Sequence, residues 1–183
     1  MKIIPVKEKY AKTVAAELAK EFGYSSAMAV PRIQKVVVNV GIGKITKESE
    51  KVDEIMESLT AITGQRPVKT MAHRAIAGFK VRQGMEVGIK VTLRGERMWN
   101  FIDRVINSTL PRTRDFQGID PRAVDGSGNL NIGIREHLIF PEISPEKAKH
   151  IFGMQITVVS STTNRKEGLA LYRKVGFPLK EEK

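Results

Sequence analysis

From Val87 to Arg94 the chain reads V-G-I-K-V-T-L-R, a strict alternation that constrains the fold more than any other stretch. Side chains of a strand point to opposite faces in turn. Val87, Ile89, Val91 and Leu93 therefore make one apolar row, and Gly88, Lys90, Thr92 and Arg94 make the other. Such a strand belongs to a sheet packed on helices behind and left open in front. The outer row offers two cations, a hydroxyl and a glycine, with no carboxylate. That set suits a closely approaching phosphate backbone, but taken alone it fits an ordinary solvated strand face slightly better.

Charge moves the choice toward a polyanionic partner, because 31 Lys and Arg against 20 Asp and Glu leave +11 on 183 residues. No apolar run approaches the roughly 20 residues that span a bilayer, so no membrane partner is expected. The opening M-K-I-I-P-V-K-E-K has neither a long apolar stretch nor a small-residue cleavage site and does not read as a signal peptide. The chain has no cysteine, hence no disulfide framework and no thiolate metal site, which fits a reducing cytoplasm. At 41% hydrophobic it can bury a real core. The expected organisation is one domain over residues 1–183, with a basic arm at about 72–86 and a long loop at about 111–133.

Tyr10, Val14, Leu18 and Phe22 predict a first helix closed by Gly23. Q-K-V-V-V-N-V-G predicts a strand with Val36, Val38 and Val40 inward and Lys35, Val37 and Asn39 outward. Asn39 is a poor strand former that asks for a partner. Val52, Ile55, Met56, Leu59 and Ile62 predict a helix over Glu48–Thr63, stopped by Gly64. A short strand at Val68–Met71 leads into the arm, whose cations are Arg74, Lys80 and Arg82 beside His73. A helix over Glu96–Leu110 ends at Pro111, and residues 112–133 read as irregular. Met154, Ile156 and Val158 mark another strand, and Asn164 with Glu167 opens a last helix bearing Leu171, Tyr172 and Val175. The fold class is α+β, an antiparallel or mixed sheet with helices on one face.

Enzyme chemistry finds little support in these residues. G-I-G-K-I-T at 41–46 lacks the spacer of a phosphate loop and the third glycine of a dinucleotide fingerprint, and reads as a tight turn. His73, His137 and His150 are too scattered to pair on a metal. Asp115, Asp120, Asp125 and Glu136 are the residues a magnesium-dependent nuclease would use, but three of them sit in the glycine-rich loop, where Asp serves turns. No catalytic residue, metal or cofactor is expected. A stand-alone RNA-binding regulator would share the charge and the open sheet.

T-G-Q-R-P at 63–67, A-G-F-K-V-R-Q-G at 77–84, K-V-T-L-R-G-E-R-M-W at 90–99, L-P-R-T-R-D-F at 110–116 and I-F-P-E-I at 139–143 follow one another in order. Together they resemble the bacterial-type large-subunit ribosomal proteins that bind 5S rRNA, the L-five family, from about Val30 to the G-F-P-L-K tail. The resemblance implies a curved, mainly antiparallel sheet, with helices packed on one face and the other face open to 5S rRNA. It implies a non-enzymatic place in the central protuberance of the cytoplasmic ribosome, among large-subunit rRNA and neighbouring ribosomal proteins. Asn39, Gln65 and Thr92 match the family's polar contacts to 5S rRNA. Lys35, Lys90 and Arg94 join them from strand geometry as neutralisers of the phosphate backbone.

By the same resemblance the arm, through Arg74, Lys80 and Arg82, approaches the elbow of peptidyl-site tRNA, with Phe79 either a packing anchor or a stacking platform. The segment from about Arg135 to Phe152 meets a head protein of the small subunit in an inter-subunit bridge. The chain departs from the family pattern at His73 and Ala75 in the arm, and at Gln117, Val124, Ser127 and Leu130 in the long loop. None of these lies on the strands expected to form the open face.

Overall fold

Val36, Val38 and Val40 are buried along β1 (Ile33–Gly41) while Asn39 is exposed, so the strand turns one row to the core and the other to water. Ile33 is buried as well, which breaks the alternation at Gln34 and Lys35. The computed structural model describes residues 4–181 apart from Lys44, Lys47, Asp115 and Lys147. Its five strands form one antiparallel sheet that does not close, in the order β2 (Val68–Met71), β3 (Glu86–Leu93), β1, β5 (Met154–Ser160) and β4 (Leu130–Ile134). Helices α1 (Val6–Lys9), α2 (Ala15–Phe22), α3 (Ser49–Thr63), α4 (Gly95–Arg104) and α5 (Arg165–Val175) complete the expected α+β fold. The chain divides into two compact units: Val37–Leu93 with Gly133–Ile156, and Met1–Val36 with Arg94–Ile132 and Thr157–Lys183.

In the unit built on Val37–Leu93, α3 buries Val52, Ile55, Leu59 and Ile62 and lies against β3, whose Ile89, Val91 and Leu93 are buried. Each such side chain contributes about 1.5–3 kcal/mol on burial, which makes this the element that covers the inner face. Gly64 ends the helix at φ 68°, its N–H bonded to the Thr60 carbonyl at 2.8 Å. The arm is more ordered than a loop. Ala72 and Gly84–Met85 exchange backbone bonds of 2.8 and 2.9 Å, Ile76 and Val81 exchange bonds of 2.9 and 3.2 Å, and a 3₁₀ turn, Ala77–Phe79, forms the tip.

Further along the same unit, the His137 ring is buried and stacked on Phe152 at 4.0 Å between centroids. Burial pushes its pKa down. Glu54 on α3 accepts from the Lys149 and His150 N–H groups at 2.8 and 3.2 Å and pairs with His150 Nδ1 at 2.6 Å. The His150 bond holds the Glu54 carboxyl below the usual carboxylate range. Residues 149–150 are thus tied to the helix that supports the sheet.

In the other unit two expected helices differ in detail. The first begins at Val6 rather than Tyr10 and passes through a π-helical turn, Tyr10–Val14, before α2 closes at Gly23. The helix expected over Glu96–Leu110 is α-helical only to Arg104, continues as a π turn, Val105–Thr109, and finishes as a 3₁₀ turn containing Pro111. A π turn adds one residue, and apolar spacings of three or four absorb it without trace. The stretch expected to be irregular over 112–133 instead includes a 3₁₀ turn, Pro121–Ala123, and most of β4. Leu130, Ile132 and Ile134 line the buried side of β4, but Asn131 and Gly133 are poor strand formers and mask it.

Asn164 caps α5 as expected, its Oδ1 accepting from the Lys166 N–H at 3.0 Å. Glu167 does not return to the cap backbone; it accepts from Thr162 Oγ1 at 2.5 Å and Asn164 Nδ2 at 3.3 Å. The buried Tyr172 hydroxyl reaches the Gly128 and Val158 carbonyls at 3.0 and 2.8 Å. Gly168 brings the helix against Gly128 so closely that a Cβ on Gly168 would lie 2.8 Å from the Gly128 Cα and carbonyl oxygen. Gly168→Ala is therefore expected to destabilise the chain by about 1–3 kcal/mol through overpacking, against a helix propensity that favours Ala by about 1 kcal/mol. Chemical denaturation measures it, and a stabilised variant would contradict this packing.

Candidate nucleic-acid interface

The antiparallel register sets Val68 opposite Lys90 and Thr70 opposite Gly88, so the outer row of β3 continues across the sheet edge through two side chains of β2. On β1, Asn39 belongs to the same open surface. Its Oδ1 lies 3.7 Å, and Thr70 Oγ1 2.7 Å, from where a Cβ on Gly88 would sit. Glycine here has an internal reason. The hydroxyl of Thr70 leans over it, and the buried backbone of Gly88 lets Asn39 and Thr70 converge.

Gln65 follows the Gly64 cap and is held by its surroundings. Its carbonyl accepts from Thr63 Oγ1 at 3.0 Å, and its Nε2 donates to the Thr92 carbonyl at 3.3 Å. The structure thereby joins two of the residues singled out in the sequence, Gln65 and Thr92, and leaves both half-buried. Lys90 and Asn39 are exposed. Among the described residues, the Asn39 amide, the Thr92 hydroxyl and the Lys90 ammonium have no side-chain hydrogen bond or ion pair within the protein. Neutral groups that can donate or accept thus stand beside a cation, on a surface fixed by a helix beneath.

Lys35 and Arg94 lie in the other compact unit, Lys35 half-buried on β1 and Arg94 exposed at the N-cap of α4. Arg74, Lys80 and Arg82 are exposed on the arm, and Phe79 is exposed with them. Val68 and Thr70 are the outer-face residues that sequence reasoning overlooked. A four-residue strand gives too few alternations to assign its faces, and the register that does so emerges only from pairing.

Thr46, Asp120 and Asp125, three of the residues considered for catalysis, are engaged within the protein. Thr46 Oγ1 donates to the Ile42 and Glu86 carbonyls, both at 3.0 Å, so G-I-G-K-I-T is a turn, with Lys44 outside the described residues. Asp120 Oδ1 accepts from the Arg122 N–H at 2.8 Å. Asp125 accepts from the Ser127 and Asn129 N–H groups at 2.9 and 2.8 Å and from Asn129 Nδ2 at 3.1 Å. Both carboxylates shape their own turns. Asp115 lies outside the described residues.

Two family models cover most of the chain: one described as ribosomal protein L5 matches residues 26–82, and one described as the ribosomal L5P family C-terminus matches residues 86–179. The chain is similar to the large ribosomal subunit protein uL5 of Colwellia psychrerythraea, 47% identical over 173 residues, or 94% of this chain and 96% of that protein. It is likewise similar to the large ribosomal subunit protein uL5 of Anaeromyxobacter sp. strain K, 48% identical over 176 residues, or 96% of this chain and 98% of that protein.

The crowding at Gly88 has a measurable consequence for this surface. Gly88→Ala is expected to cost about 1–3 kcal/mol of stability, and removing the Thr70 hydroxyl in a Thr70→Ala, Gly88→Ala pair to recover part of it. A double-mutant cycle by chemical denaturation reads the coupling. Strictly additive losses would mean that Thr70 does not crowd Gly88.

Proposed function

This chain belongs to the ribosomal protein L5 family, a structural and non-enzymatic component of the large ribosomal subunit in the cytoplasm, and on that premise we propose that its open sheet face holds 5S rRNA. rRNA and ribosomal proteins are the partners of such a component. Binding through this face helps to attach 5S rRNA in the central protuberance. The observation that carries the reading is the row formed by Asn39, Thr70, Gly88, Lys90 and Thr92, which offers unpartnered neutral polar groups and one cation on one surface. Folded RNA is recognised by shape, sugar edges and splayed bases, for which neutral hydrogen-bonding groups are suited, while cations supply salt-dependent affinity. Gln65 adds its amide from the loop after α3, and Lys35 and Arg94 add phosphate neutralisation.

Two further contacts belong to this proposal. The arm, through Arg74, Lys80 and Arg82, approaches peptidyl-site tRNA, supported by an exposed run of cations on an ordered hairpin. The segment from about Arg135 to Phe152 takes part in a bridge to a small-subunit head protein. Its anchoring to α3 through Glu54, and its exposed Ile151, suit a rigid protein contact.

Neutral and charged contacts separate experimentally. Asn39→Ala and Thr92→Ala are each expected to weaken 5S rRNA binding by about 1–3 kcal/mol without altering its salt dependence, since each leaves a desolvated RNA group unpaired. Lys90→Ala is expected to lower the log–log salt slope by about one unit. Filter binding across a salt titration distinguishes the two behaviours. Folded Asn39→Ala and Thr92→Ala variants with wild-type affinity would place the RNA elsewhere.

A further inference from the structure

Phe79 ends the 3₁₀ turn Ala77–Phe79 at the tip of the arm and is 78% exposed. A ring that packed the arm against its own unit would not be left in water, so the anchoring role is set aside. Its successor, Lys80, has φ 53°, the one non-glycine positive φ among the described residues. L-residues rarely adopt that conformation, and here the turn enforces it: the Phe79 N–H bonds the Ile76 carbonyl at 3.2 Å and the Lys80 N–H bonds the Ala77 carbonyl at 3.0 Å. The crossed bonds between Ile76 and Val81 close the ring of backbone behind it. An unburied aromatic on a strained, hydrogen-bonded tip is presented outward at low ordering cost.

The charges around it select the partner. Residues 72–85 contain His73, Arg74, Lys80 and Arg82 and no acidic residue; all four are exposed. The nearest carboxylate in sequence, Glu86, is occupied by Lys69 at 2.9 Å. Cations interleaved with an exposed ring are the composition of a nucleic-acid stacking surface, in which the ring takes a base face and the cations take the flanking phosphates.

We infer that Phe79 is a stacking platform for an exposed nucleobase of the folded RNA that the arm's cations hold. The inference rests on the reading that this RNA is tRNA, and it adds a contact that is apolar and independent of salt. Ile76, also exposed beside the turn, extends the apolar surface against which the base lies.

Ribosomes rebuilt with variants of this chain and titrated with deacylated tRNA at several salt concentrations test it. Phe79→Leu is expected to weaken tRNA binding about tenfold with an unchanged salt slope, and Phe79→Trp to retain wild-type affinity. The triple variant Arg74→Ala, Lys80→Ala, Arg82→Ala is expected to lose affinity and flatten the slope. Wild-type affinity in Phe79→Leu beside a loss in the triple variant would overturn the stack and leave the tRNA reading standing. Wild-type behaviour in every variant would overturn the tRNA reading and the inference with it. Equal losses in Phe79→Leu and Phe79→Trp would assign the effect to fit rather than stacking and overturn it. A photoreactive benzoylphenylalanine at position 79 is expected to crosslink to tRNA, and capture of a protein instead would overturn it.

Discussion

The pairing of β2 with β3 sets every other feature of the open face. It places Thr70 opposite Gly88 and Val68 opposite Lys90, and a slip of one residue in the edge strand β2 would put Lys69 on the outer row in place of Val68 and Thr70. Gly88 helps to fix this register, because only a residue without a Cβ fits beneath the Thr70 hydroxyl. The ladder then shifts between Thr70 and Met71, where the chain leaves the sheet and enters the arm. One local pairing therefore sets both the composition of the face and the point from which the arm departs.

Two kinds of binding energy follow from that geometry. On the face, neutral amides and hydroxyls stand where their neighbours already hold the backbone: Gln65 is pinned between Thr63 and the Thr92 carbonyl, and Asn39 sits on a central strand. Groups so held lose little freedom on binding and discriminate by being left unpaired on a wrong partner. On the arm, cations stand on an ordered but exposed hairpin, where they are screened by salt and read no sequence. Such a division suits the proposed pairing of a lasting 5S rRNA contact on the face with a reversible tRNA contact on the arm.

Much of this was legible in the residues. The alternation from Val87 to Leu93 and in V-V-V-N-V announced two-faced strands, Gly64 and Asn164 marked helix ends, and Asn39 declared itself by being a poor strand former on an outward row. The π turns after Lys9 and Arg104 were hidden because one added residue does not disturb a three-or-four spacing. β4 was hidden by Asn131 and Gly133, and the contribution of Thr70 by a strand too short to show its faces. What could not be read was tertiary: register, and the close approach of Gly168 to Gly128.

Contact between the open face and 5S rRNA is read by following the side-chain amide NMR signals of Asn39 and Gln65 in the isotope-labelled chain as 5S rRNA is added. Both signals are expected to shift and saturate at one equivalent of 5S rRNA and to stay in place with an unrelated structured RNA of the same length. Signals that do not move while 5S rRNA binds, with perturbations confined to other parts of the chain, would contradict it.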